Sequence, residues 1–213
     1  AVSDHVRAWL LSQGFPESSV ITIRNCTPPP RPSGKDLRTA LDEDGKRLVL
    51  LYAGRLVEGK GLDWMCDAVK EFSNATLIIA GDGPLKAQLK EKTNLGGIDA
   101  RFLGAIDDVT PYYEAADMVL LPSEMEALPM TLIEAASYGK PVIATHAGGI
   151  PEVVRDGSTA LLVHYGNVAA LRQAIEYLSD EGRRKTMGEA AKKHWEEAFS
   201  LPRLAEAMSA VYL

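Results

Sequence analysis

Short segments that are apolar at successive positions alternate along the chain with longer segments that are apolar only at helical spacing. The apolar segments are residues 48–53, 75–80, 101–103, 118–121, 141–145 and 160–163. Strands that are buried on both faces have this appearance, and they are typical of parallel sheets that carry helices on both sides. The pattern therefore predicts about six parallel strands.

The intervening segments predict the helices of the same domain. Residues 61–72, 84–93, 108–116, 129–138 and 167–179 place apolar side chains at a helical period. Alternation of strands with helices predicts an α/β fold with a doubly wound, Rossmann-like parallel sheet flanked by helices. Two further helices are expected near the ends of the chain, in residues 1–14 and in residues 199–213, where apolar side chains fall on one face.

A proline-rich segment separates the first helix from the α/β pattern. Residues 27–34 read Thr-Pro-Pro-Pro-Arg-Pro-Ser-Gly, and proline both lacks a backbone N–H and disfavours helix. We expect a short extended run over residues 20–23 and then a connecting arm. We place a domain boundary near Lys35.

Composition narrows the class of protein. The 213 residues are 46% hydrophobic and 24% charged, and the formal net charge is -6 at pH 7. A negative chain disfavours nucleic acid as a partner, because phosphate binding needs a concentrated basic face. Two cysteines, Cys26 and Cys66, are too few for a disulfide framework and predict reduced thiols in a cytoplasmic protein. No apolar run reaches the ~20 residues that span a bilayer, which leaves peripheral membrane association open.

Ligands of doubly wound sheets bind beyond the carboxyl ends of the strands. Glycine recurs at these positions, in Gly54-Arg55, Gly81-Asp82-Gly83, Gly104-Ala105 and Gly148-Gly149. Each glycine either lets a ligand approach the backbone or only makes a tight turn from strand to helix. Glu152, which follows the last pair, is expected either to brace this loop or to begin a helix.

Residues 54–61 read Gly-Arg-Leu-Val-Glu-Gly-Lys-Gly and match a nucleotide triphosphatase phosphate loop except at the last position. Gly61 stands where that loop needs Ser or Thr to bind magnesium, so the metal site is incomplete. A different arrangement has Arg55 at the end of a strand and Lys60 at the start of the next helix, both reaching one anionic group. Otherwise either cation is a solvated surface charge.

A strand, a polar loop and a helix follow one another over residues 118–138. Pro129 is expected at the first helical position, where proline is pre-shaped for a helix start and free amides attract anions. Two carboxylates, Glu126 and Glu134, have seven residues between them. A phosphate seat beside two fixed carboxylates suits a ligand that carries both phosphate and sugar hydroxyls.

Taken in order, these motifs resemble those of a known family. The residues that carry the resemblance are Gly54-Arg55-Leu56 with Lys60-Gly61, Ala80-Gly81-Asp82-Gly83-Pro84, Phe102-Leu103-Gly104 and the Glu126–Glu134 pair. They are similar to the carboxy-terminal donor-binding domain of retaining GT-B glycosyltransferases of the family-four, or group 1, type. The resemblance implies one half of a GT-B fold. It also implies transfer of a hexosyl group from a nucleotide-diphospho-sugar, a UDP- or GDP-sugar, to an acceptor.

The resemblance further implies a division of the chain. Residues 1–34 correspond to a remnant of an amino-terminal domain and the interdomain linker, and residues 35–198 correspond to the donor-binding domain. Residues 199–213 correspond to a helix that crosses back to the amino-terminal half. That half would bind the acceptor and is missing from the chain, so we expect the chain alone to be inactive. The complete enzyme is expected in the cytoplasm, with the inner membrane surface as an open alternative.

The roles that the family implies fall on two cations, two carboxylates and several backbone groups. Arg55 and Lys60 would neutralise the donor pyrophosphate and stabilise the departing nucleotide, so that no metal and no other cofactor is required. Glu126 would hold donor-sugar hydroxyls near the reacting carbon and complete the catalytic set. Glu134 would accept hydrogen bonds from the ribose. The remaining donor-binding positions are Gly54, Gly104, Leu128, Pro129, Met130 and Thr131.

Several alternatives stay open on the sequence. Glu126 has the chemistry of a carboxylate nucleophile, although the resemblance favours attack on the face from which the leaving group departs. The chain also fits a nucleotide-sugar binding module without activity of its own, part of a GT-B epimerase, or a magnesium-dependent nucleotide triphosphatase.

Overall fold

The strands pair side by side and all run in the same direction. The computed structural model describes residues 1–42 and 45–212. Within them the strands are β1 (Leu48–Ala53), β2 (Ala75–Ala80), β3 (Asp99–Gly104), β4 (Met118–Leu121), β5 (Val142–Thr145) and β6 (Ala160–Val163). They form one six-stranded sheet in the order β3-β2-β1-β4-β5-β6. This arrangement confirms the predicted doubly wound parallel sheet.

The strand order places a reversal in the middle of the sheet. From β1 the chain moves outward through β2 to β3, and it then returns to β4, which pairs with the other side of β1. β5 and β6 follow outward from β4. Clefts of doubly wound sheets lie at such a reversal, beyond the carboxyl ends of the strands. Here that position lies beyond Ala53 and Leu121.

Helices cover both faces of the sheet. They are α1 (Asp4–Ser12), α2 (Leu37–Leu41), α3 (Leu62–Val69), α4 (Lys86–Leu95), α5 (Thr110–Ala115), α6 (Met130–Ser137), α7 (Ile150–Val153), α8 (Val168–Tyr177), α9 (Glu181–Ala198) and α10 (Leu201–Tyr212). α3, α4 and α8 pack with Leu50 and Tyr52 of β1, whereas α5, α6 and the end of α9 pack with Val49 and Leu51. These four β1 side chains are at most 1% exposed, so burial of both faces accounts for the continuous apolar pattern.

Four elements depart from the sequence prediction: the short helices α2 and α7, which lie outside the predicted helical segments, and β3 and α9. β3 spans Asp99–Gly104 rather than residues 101–103, and part of it is exposed because it is an edge strand. α9 has no predicted counterpart because it is largely polar; its buried residues are Met187, Gly188, Ala191 and Trp195. The predicted helices otherwise begin and end within about three residues of the observed ones, which is the usual uncertainty of helix ends.

The proline-rich segment lies against the α/β unit. The indole Nε1 of Trp195 donates a hydrogen bond to Thr27 Oγ1 at 2.8 Å, and both residues are buried. Six positions further on, the Ser33 N–H donates to the Glu114 carboxylate of α5 at 2.9 Å. The segment is therefore held near both ends without forming a helix, as the prolines predict. The domain boundary near Lys35 stays a prediction.

The last helix leaves its apolar face uncovered in the described residues. α10 confirms the helix that the apolar pattern predicts, and its Leu201, Met208 and Val211 side chains are 46%, 37% and 42% exposed. Its passage to an amino-terminal half stays a prediction. Of the helices that the structure describes, none is long and apolar enough to cross a membrane.

The two cysteines are free, as predicted, and neither is a ready nucleophile. Cys66 on α3 is fully buried, and burial raises the pKa of its thiol to about 12. Burial also raises the pKa of Cys26 above its ordinary value. Because the thiolate is the reactive form, candidate chemistry has to come from other residues.

Candidate functional site

A cavity of about 440 Å³ opens at the carboxyl ends of β1 and β2. The end of β1, the loop after β2, the loop between β3 and α5, and the first turns of α6 form its walls. Its lining residues are Ala53, Gly54, Arg55, Ala80, Gly81, Asp82, Ala105, Ile106, Val109, Met130, Thr131 and Glu134. The fold thus brings together five of the positions that the sequence analysis selected: Gly54, Arg55, Met130, Thr131 and Glu134.

Arg55 is a free cation at the wall of this cavity. Its side chain is exposed and has no hydrogen-bond or ion-pair partner among the described residues. Its backbone carbonyl, in contrast, is fixed, because the buried Tyr52 hydroxyl donates to it at 2.9 Å. The backbone is therefore held while the guanidinium stays available to an anion.

The first two residues of α6, Met130 and Thr131, line the same cavity. The first N–H groups of a helix lack partners within the helix and carry a partial positive charge, which favours an anion. The Thr131 hydroxyl donates to the Ala53 carbonyl at 3.0 Å and so joins the start of α6 to the end of β1. Arg55 and the amides of Met130 and Thr131 therefore offer positive charge from two sides.

Pro129 does not begin the helix, contrary to the sequence prediction. It occupies the N-cap with φ -73° and ψ 117°, and α6 begins at Met130. Pro129 has no N–H to donate, and the Leu128 side chain is buried at 5% exposure. Among the residues predicted to form the phosphate seat, Met130 and Thr131 line the cavity, whereas Leu128 and Pro129 do not.

Glu134 lies one turn further along α6 and is held by a tyrosine. The Tyr113 hydroxyl donates to Glu134 Oε2 at 2.8 Å, while Oε1 has no partner in the described part of the chain. Burial raises the pKa of Glu134 above 4.5, and the hydrogen bond from Tyr113 opposes that rise. Tyr113 stacks in turn on Tyr138, with ring centroids 5.4 Å apart. One carboxylate oxygen is thus fixed in place and the other is open to a ligand hydroxyl.

Lys60 and Glu126 form a close ion pair outside the lining of this cavity. Lys60 Nζ lies 2.6 Å from Glu126 Oε1, and the two side chains are 19% and 15% exposed. The Glu124 N–H donates to the Gly59 carbonyl at 2.7 Å, so the loop that carries Glu126 lies against the loop that carries Arg55 and Lys60. The expectation that Arg55 and Lys60 meet one anion stays a prediction, because Lys60 is bound to Glu126 in this structure.

Gly104 is not among the residues that line this cavity, and its role in donor binding stays a prediction. Its carbonyl accepts a hydrogen bond from the Gly81 N–H at 2.8 Å, so it joins two loops of the rim. The residues that line the cavity are the next two, Ala105 and Ile106. Gly104 therefore adjoins the lining through its chain neighbour Ala105 and its bond to Gly81.

Gly61 shows why the phosphate-loop alternative fits this chain poorly. Its φ is 68°, and a Cβ at this position would lie 2.0 Å from the Pro122 carbonyl oxygen. Serine or threonine, which would bind magnesium in that loop, therefore has no space here. Among the described residues, no group of three His, Cys, Asp or Glu side chains is placed to hold a metal ion.

Sequence reasoning missed two side chains that shape the site. Tyr113 lies within a predicted helix and carries no motif, and Tyr52 belongs to an apolar strand. Their roles depend on the packing of α5 against α6 and on the turn after β1. The apolar pattern holds no signal for these hydrogen bonds.

The architecture is that of a GT-B glycosyltransferase domain. The whole chain superposes on Anabaena HepE, solved in complex with UDP and glucose, with a TM-score of 0.90 and 23% identity, and covers 61% of that chain. It also superposes on sucrose-phosphate synthase from Thermosynechococcus elongatus with a TM-score of 0.85 and 27% identity, and covers 56% of that chain.

The chain belongs to the group 1 glycosyltransferases. The family described as "Glycosyl transferases group 1" matches residues 34–194. The chain is 34% identical over 167 residues to an uncharacterised glycosyltransferase of Methanocaldococcus jannaschii. The matched residues make up 76% of this chain and 47% of the relative. It is also 34% identical over 167 residues to a Mycobacterium D-inositol 3-phosphate glycosyltransferase, covering 74% of this chain and 38% of that protein. The chain therefore spans less than half the length of these curated relatives.

Proposed function

We propose that the chain is the donor-binding half of a retaining glycosyltransferase that moves a hexosyl group from a nucleotide-diphospho-sugar to an acceptor. The observation that carries the proposal is the cavity at the reversal of the sheet. There the Arg55 guanidinium, the start of α6 and the Glu134 carboxylate lie together, and in the described part of the chain the guanidinium and one carboxylate oxygen have no partner. A diphosphate joined to a ribose needs these three kinds of group.

The diphosphate binds between Arg55 and the start of α6. Helix amino termini hold phosphate through backbone N–H groups and the helix dipole, and a guanidinium adds charge-assisted hydrogen bonds. When the bond to the sugar breaks, negative charge grows on the departing diphosphate. Fixed donors around that charge stabilise the transition state, which is the role that a magnesium ion would otherwise have. The transfer is therefore proposed to need no metal.

The ribose binds at Glu134. A carboxylate fixed by Tyr113 at 2.8 Å accepts a ribose hydroxyl through its free oxygen without having to be ordered first. Such pre-organisation lowers the cost of binding. This geometry supports the role that the family resemblance gives to Glu134.

The donor sugar binds next to the Lys60–Glu126 pair. In the free protein Lys60 holds the Glu126 carboxylate at 2.6 Å. On donor binding, Lys60 turns to the diphosphate, and Glu126 accepts hydrogen bonds from sugar hydroxyls near the reacting carbon. The acceptor then attacks on the face from which the diphosphate leaves. Glu126 orients the sugar and forms no covalent bond to it.

A UDP-sugar is the first donor to test. HepE, which shares the fold, was solved with UDP-glucose, and the chain covers 63% of it at 24% identity. A GDP-sugar is the second. The exposed apolar side chains of α10 support docking of an amino-terminal half that brings the acceptor. We place the complete enzyme in the cytoplasm or at the inner face of the membrane as part of the same proposal.

Sugar transfer by the complete enzyme tests the proposal. UDP-glucose and other nucleotide-sugars are supplied with EDTA or with magnesium, and the anomeric configuration of the product is read by NMR. Retention with equal rates in both media is expected. Inversion, a requirement for magnesium, or a glycosyl adduct trapped on Glu126 would contradict the mechanism. Glu126→Gln should lower kcat strongly, with the exposed Glu176→Gln as control.

A further inference from the structure

Glu152 binds the amino terminus of a helix that lies far from it in sequence. The carboxylate of this α7 residue accepts the Asp4 N–H at 2.8 Å on Oε2 and the His5 N–H at 2.7 Å on Oε1. Both donors belong to the first turn of α1. Oε2 also lies 3.0 Å from Arg24 Nη2. One side chain thus gathers three donors from the first 24 residues.

These contacts satisfy groups that have no local partner. The N-cap Ser3 hydroxyl already accepts the Val6 N–H, which leaves the Asp4 and His5 N–H groups to Glu152. The Glu152 side chain is 18% exposed. A negative charge at a helix amino terminus is also favoured by the helix dipole. Neutralising this carboxylate therefore weakens the attachment of α1 to α7.

The start of α7 contacts the loop that carries Glu126. α7 begins directly after Gly149, whose N–H donates to the Glu126 carbonyl at 2.8 Å. A Cβ on Gly149 would lie 1.9 Å from the Ala127 carbonyl oxygen and 3.3 Å from the Ser3 Cβ. Gly149 is therefore enclosed between the Glu126 loop on one side and the cap of α1 on the other.

We infer that Glu152 is a positioning residue for sugar transfer. By holding α1 against α7, it keeps Gly149 pressed on the backbone of Glu126 and so fixes the direction of the Glu126 carboxylate. Glu152 itself touches no donor atom. This inference rests on the proposed function, in which Glu126 orients the donor sugar.

The inference predicts a separation of turnover from nucleotide binding. The nucleotide is proposed to bind through Arg55, α6 and Glu134, whereas the polar partners of the Glu152 side chain in the described residues are Asp4, His5 and Arg24. Turnover depends instead on the direction of Glu126. Misplacement of a catalytic group by about 1 Å costs up to roughly 100-fold in rate. Glu152→Gln, which keeps the size of the side chain and removes its charge, should therefore lower kcat about 10-fold or more and leave UDP affinity within about twofold.

The experiment uses the complete enzyme and measures kcat, donor KM and the calorimetric Kd for UDP. Glu176→Gln on the exposed face of α8 is the matched control. Glu152→Asp is the second variant, because it keeps the charge near Arg24 and is too short to reach both amides. We expect its kcat to lie between those of wild type and Glu152→Gln. If Glu152→Gln does not fold, the kcat of Glu152→Asp tests the inference: a lowered kcat supports the positioning role, and a wild-type kcat overturns it.

The outcomes separate this inference from the proposed function. A wild-type kcat in both Glu152 variants overturns the positioning role alone. So does a fall in kcat matched by an equal fall in UDP-binding sites, because a smaller folded fraction explains both. If the wild-type enzyme binds no nucleoside diphosphate and transfers no sugar, the proposed function fails, and the positioning role fails with it.

Discussion

Arg55 and Lys60 carry the same charge in different surroundings, and this difference predicts unequal effects on nucleotide binding. Arg55 is exposed and has no partner among the described residues, so Arg55→Gln removes little from the free protein. In the complex it removes charge-assisted hydrogen bonds of about 1.5–3 kcal/mol. At about 1.4 kcal/mol per factor of ten, the Kd for a nucleoside diphosphate should rise roughly 12- to 150-fold. The free energy of unfolding should change by less than ~0.5 kcal/mol.

Lys60→Gln should have a smaller effect on nucleotide affinity and a larger effect on stability than Arg55→Gln. Lys60 already holds Glu126 at 2.6 Å, and both side chains are less than 20% exposed. A phosphate must compete with that carboxylate, so the loss of nucleotide affinity should be smaller than for Arg55→Gln. The free protein, however, is left with a largely buried, unpaired Glu126, which costs about 1–3 kcal/mol of stability.

Calorimetric titration with UDP in EDTA, together with thermal unfolding, measures both effects. For a domain of this size, about 1 kcal/mol corresponds to a Tm shift of roughly 2–4 °C. Arg172→Gln, an exposed arginine of α8, is the matched control. A UDP affinity within twofold of wild type in Arg55→Gln would refute the reasoning. So would a larger loss of affinity in Lys60→Gln than in Arg55→Gln.

Two further predictions concern Glu134. Tyr113→Phe removes the hydrogen bond that lowers the pKa of Glu134, so that pKa should rise further. Thermal unfolding should show that the free energy of unfolding falls by about 1–2 kcal/mol. An unchanged free energy of unfolding would argue against the hydrogen bond. Because burial raises the Glu134 pKa above 4.5 and ribose hydroxyls bind the ionised form, UDP affinity should weaken as pH falls through that raised pKa. In Glu134→Gln, titrations with UDP across pH should no longer show this weakening. A pH dependence of UDP affinity identical to that of wild type would contradict the proposed binding of ribose by Glu134. The effect on stability has the opposite sign: a raised folded-state pKa stabilises the protein below the unfolded pKa, and this contribution is lost as pH rises through the folded value.

The fold follows from the sequence because its central strands are buried on both faces. β1, β2 and β4 begin and end at the predicted residues, since a continuous apolar run leaves no other place for them. The edge strand β6 also matches its prediction, because all four of its residues are apolar. β3 begins two residues before the predicted segment, because an edge strand tolerates the exposed Asp99 at its start. α9 escapes prediction for a related reason, since most of its 18 residues face solvent.

The site is predictable only where it follows from the ends of the strands. Arg55 lies two residues after the end of β1, and Glu134 follows the start of α6, so the rule that ligands lie beyond the carboxyl ends of strands brings both to one cavity. The Lys60–Glu126 pair and the Tyr113–Glu134 hydrogen bond join residues 66 and 21 positions apart. Such partners depend on how loops and helices pack, which no local pattern encodes.

The most direct test of the account is calorimetric titration of this chain with UDP, GDP and ADP in the presence of EDTA. The cavity at the reversal of the sheet predicts saturable binding of one of these nucleotides at one site, weakened by Arg55→Gln and by Glu134→Ala and unchanged by Arg172→Gln. Binding that needs magnesium, or binding that survives both cavity substitutions, would contradict the central claim that this cavity receives the donor nucleotide without a metal.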